Sequence, residues 1–288
     1  MPEQLPPGEA ARVHRALDAL HSMIYFAPEA EEELSAVGLR PGRMSYFASR
    51  SAPMGPVSTG VTTATFYNFN PALVARHIPR AWSLASVEDI LAARLRAVDR
   101  ALRRLLGDEA ASAPAVVEAA ELARIAATGL PPDGRPLYAA HAGLEWPEQP
   151  HVVLWHAITL LREYRGDGHV ASLLTGGLSG LDALITHTAT GRGFTEQAAK
   201  ATRGWSDEEW SAGVDDLRRR GLLDDDGLTL LGSEVRAAVE ADTDRLAAAP
   251  WLQLGPERLA RLIEVGRALS RTAVNAGAFP ANVFAASR

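Results

Sequence analysis

The sequence predicts a mainly α-helical protein: a helical N-terminal half packed on a helical C-terminal half that contains a winged-helix subdomain with a small β-hairpin. Three observations lead there. Apolar residues recur at helical spacing through most of the chain, and helix start signals precede several of these runs. One segment, Leu222-Leu223-Asp224-Asp225-Asp226-Gly227-Leu228-Thr229-Leu230, has a hairpin pattern with an Asp-Gly turn, and it follows three short helical patterns. At 288 residues, 47% of them hydrophobic, the chain can bury a sizeable core.

Taken in order, residues 9–26 read as an amphipathic helix with Val13, Leu17, Leu20 and Ile24 on the apolar side. Residues 29–37 follow Pro28 as a shorter helix closed by Gly38. Residues 57–69 carry little charge. Their β-branched Val61, Thr62, Thr63 and Thr65 would permit a strand, but no partner strand is near, so a buried helix is expected. Asn70-Pro71 supplies an N-cap and a first-turn proline for the next helix. Ser86-Val87-Glu88-Asp89 resembles a capping box with Asp for Glu and opens a helix to residue 106. Its Arg94, Arg96, Arg100, Arg103 and Arg104 are interleaved with Asp99 and read as a solvated face.

Residues 114–128 make another helix. Residues 131–150, rich in proline, read as a long loop joining an N-terminal domain, 1–130, to a C-terminal domain, 151–288. A central helix over 151–164 is expected to run into a turn at Gly166 and Gly168, then to resume over 170–188, softened at Gly176-Gly177 and Gly180. Short helices over 195–201, 207–219 and 233–248 flank the hairpin, so the winged helix occupies about 180–248. A last helix spans 256–274.

The absence of cysteine excludes disulfides, thiolate metal sites and a cysteine nucleophile. Residues 1–7 have no signal-peptide pattern, and no apolar run approaches the ~20 residues of a membrane span, so a cytoplasmic protein is expected. The net charge is −6, and the stretch 205–248 alone holds twelve acids against five arginines. A DNA-reading helix must approach phosphates. Here the candidate helix opens Ser206-Asp207-Glu208-Glu209-Trp210 and the wing tip is Asp224-Asp225-Asp226, so nucleic acid is an unexpected partner. Packing, dimerisation or lining a pocket is the expected use of the winged helix.

The chemistry-bearing stretch is Leu160-Leu161-Arg162-Glu163-Tyr164-Arg165-Gly166-Asp167-Gly168-His169. Arg162 and Arg165 could grip a carboxylate or phosphate with a planar fork. Glu163 would pair with an arginine or act as a base, and Asp167 could orient His169 for proton transfer. Trp155 and His156 lie two turns before Arg162 and Glu163. Tyr25, Arg50, Phe66 and Tyr67 would add walls and polar groups, and His21, beside Tyr25, reads equally as packed or as functional. The competing reading is a buried ion-pair network in which the glycines only permit a tight turn. No His-x-x-x-His pair, Walker loop or dinucleotide fingerprint occurs, so neither metal nor cofactor is expected. Gly176-Gly177-Leu178-Ser179-Gly180 approaches a nucleophile elbow but lacks the preceding strand.

Three blocks, His21-Ser22-Met23-Ile24-Tyr25-Phe26-Ala27-Pro28-Glu29, then Arg50-Ser51-Ala52-Pro53-Met54-Gly55-Pro56-Val57 with Ala64-Thr65-Phe66-Tyr67, and the stretch 161–169 with the segment behind it, resemble an actinobacterial helix-turn-helix (winged-helix) protein family. The resemblance implies the architecture and the choice of polar residues. It carries no reaction, and the family's label as a regulator rests on the winged helix. The expected function is a small-molecule-binding protein with its pocket between the halves, metal-independent acid–base catalysis on an organic anion being the candidate chemistry. The alternative is a ligand-responsive winged-helix transcriptional regulator; a homodimer is a candidate assembly for either.

Overall fold

A computed structural model describes residues 5–191 and 193–280. The order is α1 (Glu9–Ser22), α2 (Pro28–Ala36), α3 (Arg43–Ser51), α4 (Thr59–Phe66), α5 (Pro71–Ala75), α6 (Val87–Leu106), α7 (Asp108–Ala111), α8 (Pro114–Ala127) and α9 (Pro136–Ala142). There follow α10 (Pro150–Thr175), α11 (Gly180–Thr188), α12 (Glu196–Arg203), α13 (Asp207–Arg219), β1 (Leu223–Asp224), β2 (Gly227–Leu228), α14 (Leu230–Leu246), α15 (Ala249–Leu254) and α16 (Pro256–Asn275). The strands pair antiparallel, Leu223 with Leu228 and Asp224 with Gly227. Among the described residues no helix is long and apolar enough to cross a membrane.

Local signals start many of these helices. Asn70 accepts from the Ala72 amide at 2.9 Å ahead of Pro71, and Ser86 from the Asp89 amide at 3.0 Å. Ser179 with Asp182 and Ser206 with Glu209 form reciprocal capping boxes.

Three apolar clusters organise the molecule. The largest joins α1, α8, α15 and α16 to the C-terminal half of α6 and the N-terminal half of α10, with Leu20, Val98, Val116, Trp155 and Leu262 fully buried or nearly so. Both halves of the chain therefore contribute to one core. A second cluster, around Phe47, Phe66, Phe69 and Ile90, lies under α3, α4 and the start of α6. The third, around Leu184, Trp210, Leu217 and Val239, holds α11 to α14 together.

Several expectations are corrected. The turn predicted at Gly166 and Gly168 does not form, because α10 runs unbroken through both. A β-carbon on Gly168 would stand 2.9 Å from Arg135 Nη1 and 3.2 Å from Leu246 Cβ, so this glycine admits neighbours rather than bending the chain. The long loop encloses α9, whose Leu137, Tyr138 and His141 are buried. Helix α4 is not a buried helix: only Thr62 and Phe66 are buried in it, and Val61 is 44% exposed. Residues 23–25 close the first helix as a tight 3-10 turn.

The run 176–180, by contrast, does interrupt the helices. Gly177 takes φ +65°, Ser179 caps α11, and Gly180 lets the Tyr67 carbonyl approach to where a β-carbon would be 1.9 Å away. Tyr67 itself has φ +51°, a left-handed backbone that an L-residue rarely adopts. Its hydroxyl donates to the Leu178 carbonyl at 2.5 Å.

Candidate functional site

The polar centre forms where α3 meets α10. Arg50, 7% exposed, donates from Nη2 to both oxygens of Glu163, at 3.1 and 3.2 Å, and from Nη1 to the Tyr46 hydroxyl at 2.9 Å. Its guanidinium also lies 4.5 Å from the centre of the Phe66 ring. Arg162 reaches Glu163 at 3.0 Å from the other side, with Asp18 3.9 Å away. Burial opposes ionisation of Glu163, but Arg50 and then Arg162 hold its pKa at about 2. Glu163 is thus a fixed anion rather than a base working near neutrality. Burial would likewise raise the Tyr46 hydroxyl, yet Arg50 and the arginines beyond it bring it below its ordinary value.

One turn on, the expected partnership of Asp167 with His169 is absent. Asp167 Oδ2 accepts instead from the amides of Leu137 and Tyr138, at 3.1 and 2.9 Å, and so caps α9 from another helix. Burial pushes its pKa up to about 6 against those two hydrogen bonds. His169 Nδ1 meets Thr243 Oγ1 at 2.9 Å. Because that hydroxyl donates to the Val239 carbonyl, Nδ1 carries the proton and Nε2 the lone pair. Burial lowers the His169 pKa to about 4. Arg165 is tied to Asp244 at 2.9 Å and Glu240 at 3.5 Å, so this part of α10 is bolted to α14. Arg135 completes the seam. It donates to the Tyr164 carbonyl and, at 2.8 Å, to the Leu246 carbonyl, with the Tyr164 ring 3.6 Å beneath.

His21, Trp155 and His156 are packed residues. His21 stacks on Trp155 at 5.6 Å, and its ring nitrogens meet Thr159 Oγ1 at 3.0 Å and the Tyr25 hydroxyl at 2.8 Å. Thr159 donates to the Trp155 carbonyl, which makes His21 Nδ1 the donor and leaves Nε2 to accept from Tyr25. Burial holds His21 neutral, well below its usual pKa. His156 meets the edge of Trp146 at 4.7 Å, away from the polar centre.

Two neighbouring cavities flank Arg162. The first, about 440 Å³, is walled by Arg50, Phe66, Tyr67, Arg162, Glu163, Arg165, Asp167 and His169, together with Arg203 and Arg236. Eight of the predicted side chains are therefore gathered in one place. The second, about 820 Å³, holds Tyr25 and shares Tyr46, Arg162, Phe194 and Arg203 with the first. His21, Trp155 and His156 wall neither. Among the described residues no cluster of three or more His, Asp or Glu is spaced to hold a metal.

Arg203, Arg94 and Tyr46 were not foreseen from the sequence. Arg203 ends α12, wedged between Phe69 at 4.6 Å and Phe194 at 4.9 Å, and its buried Nε has no hydrogen-bond partner. The turn after it is clamped to the cavity wall. The Asn70 amide donates to the Arg203 carbonyl, Trp205 Nε1 donates to the Asn68 carbonyl, and Asn70 Nδ2 donates to Glu209. A polar cavity thus abuts the junction of α12 and α13. On the outside of this unit, Glu208 and Asp215 on α13 and the Asp224–Asp226 turn are exposed. Arg218 pairs with Asp225 and Arg219 with Asp216, both at 2.9 Å.

Helices α11, α12 and α13 follow one another ahead of the two strands, the order expected of a helix-turn-helix unit. The chain belongs to the helix-turn-helix family whose model matches residues 10–280. No curated protein and no solved structure matches it.

Proposed function

We propose that this helix-turn-helix protein binds a small organic anion in the first cavity, between the two halves of the chain. What supports the reading above all is Arg203: a desolvated cation in the cavity wall, at the helix-turn-helix junction, with no carboxylate paired to it among the described residues. A volume of about 440 Å³ suits a small ligand, and aromatic rings beside fixed arginines suit an apolar body with a planar anionic group. Binding, rather than acid–base catalysis, is the better fit. Glu163 is locked as an anion, Asp167 serves as a helix cap, and His169 is held by Thr243.

Native mass spectrometry of the purified chain, followed by denaturing extraction, tests this. A co-purifying anion that Arg203→Met loses, with the fold retained, is the expected result; a clean apo chain that binds no carboxylate or phosphate ester would sink the reading. The same spectrum reads the assembly, including the candidate homodimer.

Membership of a helix-turn-helix family is compatible with a second reading, a ligand-responsive regulator of winged-helix type. Its ligand would act through the clamp between Asn68, Asn70 and the α12–α13 turn. The acidic exterior of α13 and the hairpin turn weighs against phosphate contact. A gel shift against the gene's upstream DNA, over a range of salt, separates the two: sequence-selective, salt-sensitive binding supports the regulator, and none leaves the binding protein.

A further inference from the structure

The second cavity is the larger, and nothing in the reading above uses it. Its walls are apolar at Ile24, Phe26, Leu34 and Ala97, contributed by α2, α6 and the turn before α2. Of its cations, which also include Arg43, Arg162 and Arg203, Arg94 lies on the buried stripe of α6 and is 5% exposed. Arg94 Nη1 meets His141 Nε2 at 3.0 Å. His141 Nδ1 bonds the Leu137 carbonyl at 2.8 Å, so Nε2 offers a lone pair and the imidazole is neutral. Arg94 Nη2 is buried with no hydrogen-bond partner, and no ion pair among the described residues includes Arg94. The Trp155 face, 4.8 Å away, softens the charge without neutralising it. Of the acids in the wall, Asp18 is turned toward Arg162 and Glu31 is exposed. A buried cation left without its anion is costly, and a ligand that supplies the anion recovers part of that cost, less the desolvation of its own charge.

We infer that this cavity is a binding site for an amphipathic monocarboxylate, its carboxylate held by the guanidinium of Arg94 and its alkyl or aryl body along Ile24, Phe26, Leu34 and Ala97. Half-buried Arg43, also without a carboxylate partner among the described residues, gives the anion a further cation in the same wall. A cavity of about 820 Å³ admits a medium-length chain or a substituted ring. The inference stands independently of what occupies the first cavity. Arg94 belongs to the second cavity alone and Arg236 to the first alone.

Isothermal titration with acetate, octanoate and octanol tests both ends of the ligand. Octanoate binds; acetate, lacking the apolar body, and octanol, lacking the charge, each bind at least about tenfold more weakly. Arg94→Met removes octanoate binding while the ligand-free chain melts no lower than wild type, since an unpaired buried charge has been taken away. Ala30→Phe, which fills the half-buried wall without altering charge, also removes binding and covers the case in which Arg94→Met fails to fold. Arg236→Met leaves octanoate binding unchanged. Octanoate binding equal to that of octanol, or binding lost in Arg236→Met but kept in Arg94→Met, overturns the inference; the second outcome would put the carboxylate in the first cavity instead.

Discussion

Glu163 holds two arginines in place from a site 2% exposed to solvent, and its worth is therefore asymmetric. Removing its charge leaves Arg50 buried and unanswered, whereas Arg162 is partly exposed and still has Asp18 within 3.9 Å. Glu163→Gln is expected to destabilise the chain by about 3–5 kcal/mol, seen as a lower urea midpoint at unchanged slope. Glu163→Leu combined with Arg50→Met should cost much less than the sum of the two single changes, because neither partner is stranded. A double-mutant cycle measures that difference, and additive costs would show that the two side chains stabilise the fold independently. Arg94 illustrates what a residue type conceals. It reads from sequence as one of the solvated arginines of α6, and the other four do pair with carboxylates, Arg104 with the buried Glu29 and the rest with Glu32, Glu33 and Asp99. Its position one turn after Ile90 and one before Val98, on the stripe that α6 buries, was the legible sign that this arginine points inward.

At the level of elements, α10 carries the plainest test. A glycine inside an exposed helix is disfavoured by about 1 kcal/mol relative to alanine. A β-carbon on Gly166 would meet only Glu163 Oε2, at an ordinary 3.6 Å, so Gly166→Ala should raise stability by roughly 0.5–1 kcal/mol. Gly168→Ala should lower it, since the β-carbon would press on Arg135 and Leu246. Thermal melts of the two variants moving in opposite directions establish the unbroken helix, and a loss in Gly166→Ala would favour the turn expected from sequence. Asp167→Ala should cost about 1 kcal/mol through the freed amides of α9. These cases mark what could be read locally. The caps at Asn70 and Ser86 lie within three residues of the amides they serve, so sequence suffices to place them. Helix α9 is hidden in a proline-rich loop because its cap comes from α10, and Gly168 reads as a turn because its reason, a guanidinium from before α9, is remote in sequence. The site was legible as a collection of side chains and illegible as a set of partnerships, since Arg50 with Glu163 and His169 with Thr243 are pairings across the fold.

For the molecule as a whole, burial of neutral imidazoles sets the response to acid. His141 is held down to about 3 by burial and then by Arg94, while His156 and His169 sit at about 4 through burial. His21 is lowered by burial and by Arg162 in the same direction. In the unfolded chain each of these groups takes a proton near pH 6.5, in the folded chain only well below it. Their contribution is therefore complete above about pH 6.5 and is lost as the pH falls toward 4, because the unfolded state binds more protons across that window. Asp167 works the other way. With its pKa raised to about 6 from 3.8, the folded state takes up its proton first and gains as the pH falls between those values. One carboxyl cannot offset four histidines when each tenfold change in proton affinity is worth about 1.4 kcal/mol. Glu163, at about 2, adds a loss only in stronger acid. Urea unfolding at steps between about pH 7 and about 4 should show stability falling throughout, and His141→Gln should remove close to one proton from the slope. A flat profile would mean that the histidines protonate within the native fold, and the neutral tautomers that leave His21 Nε2 and His141 Nε2 as acceptors for Tyr25 and Arg94 would then have to be given up.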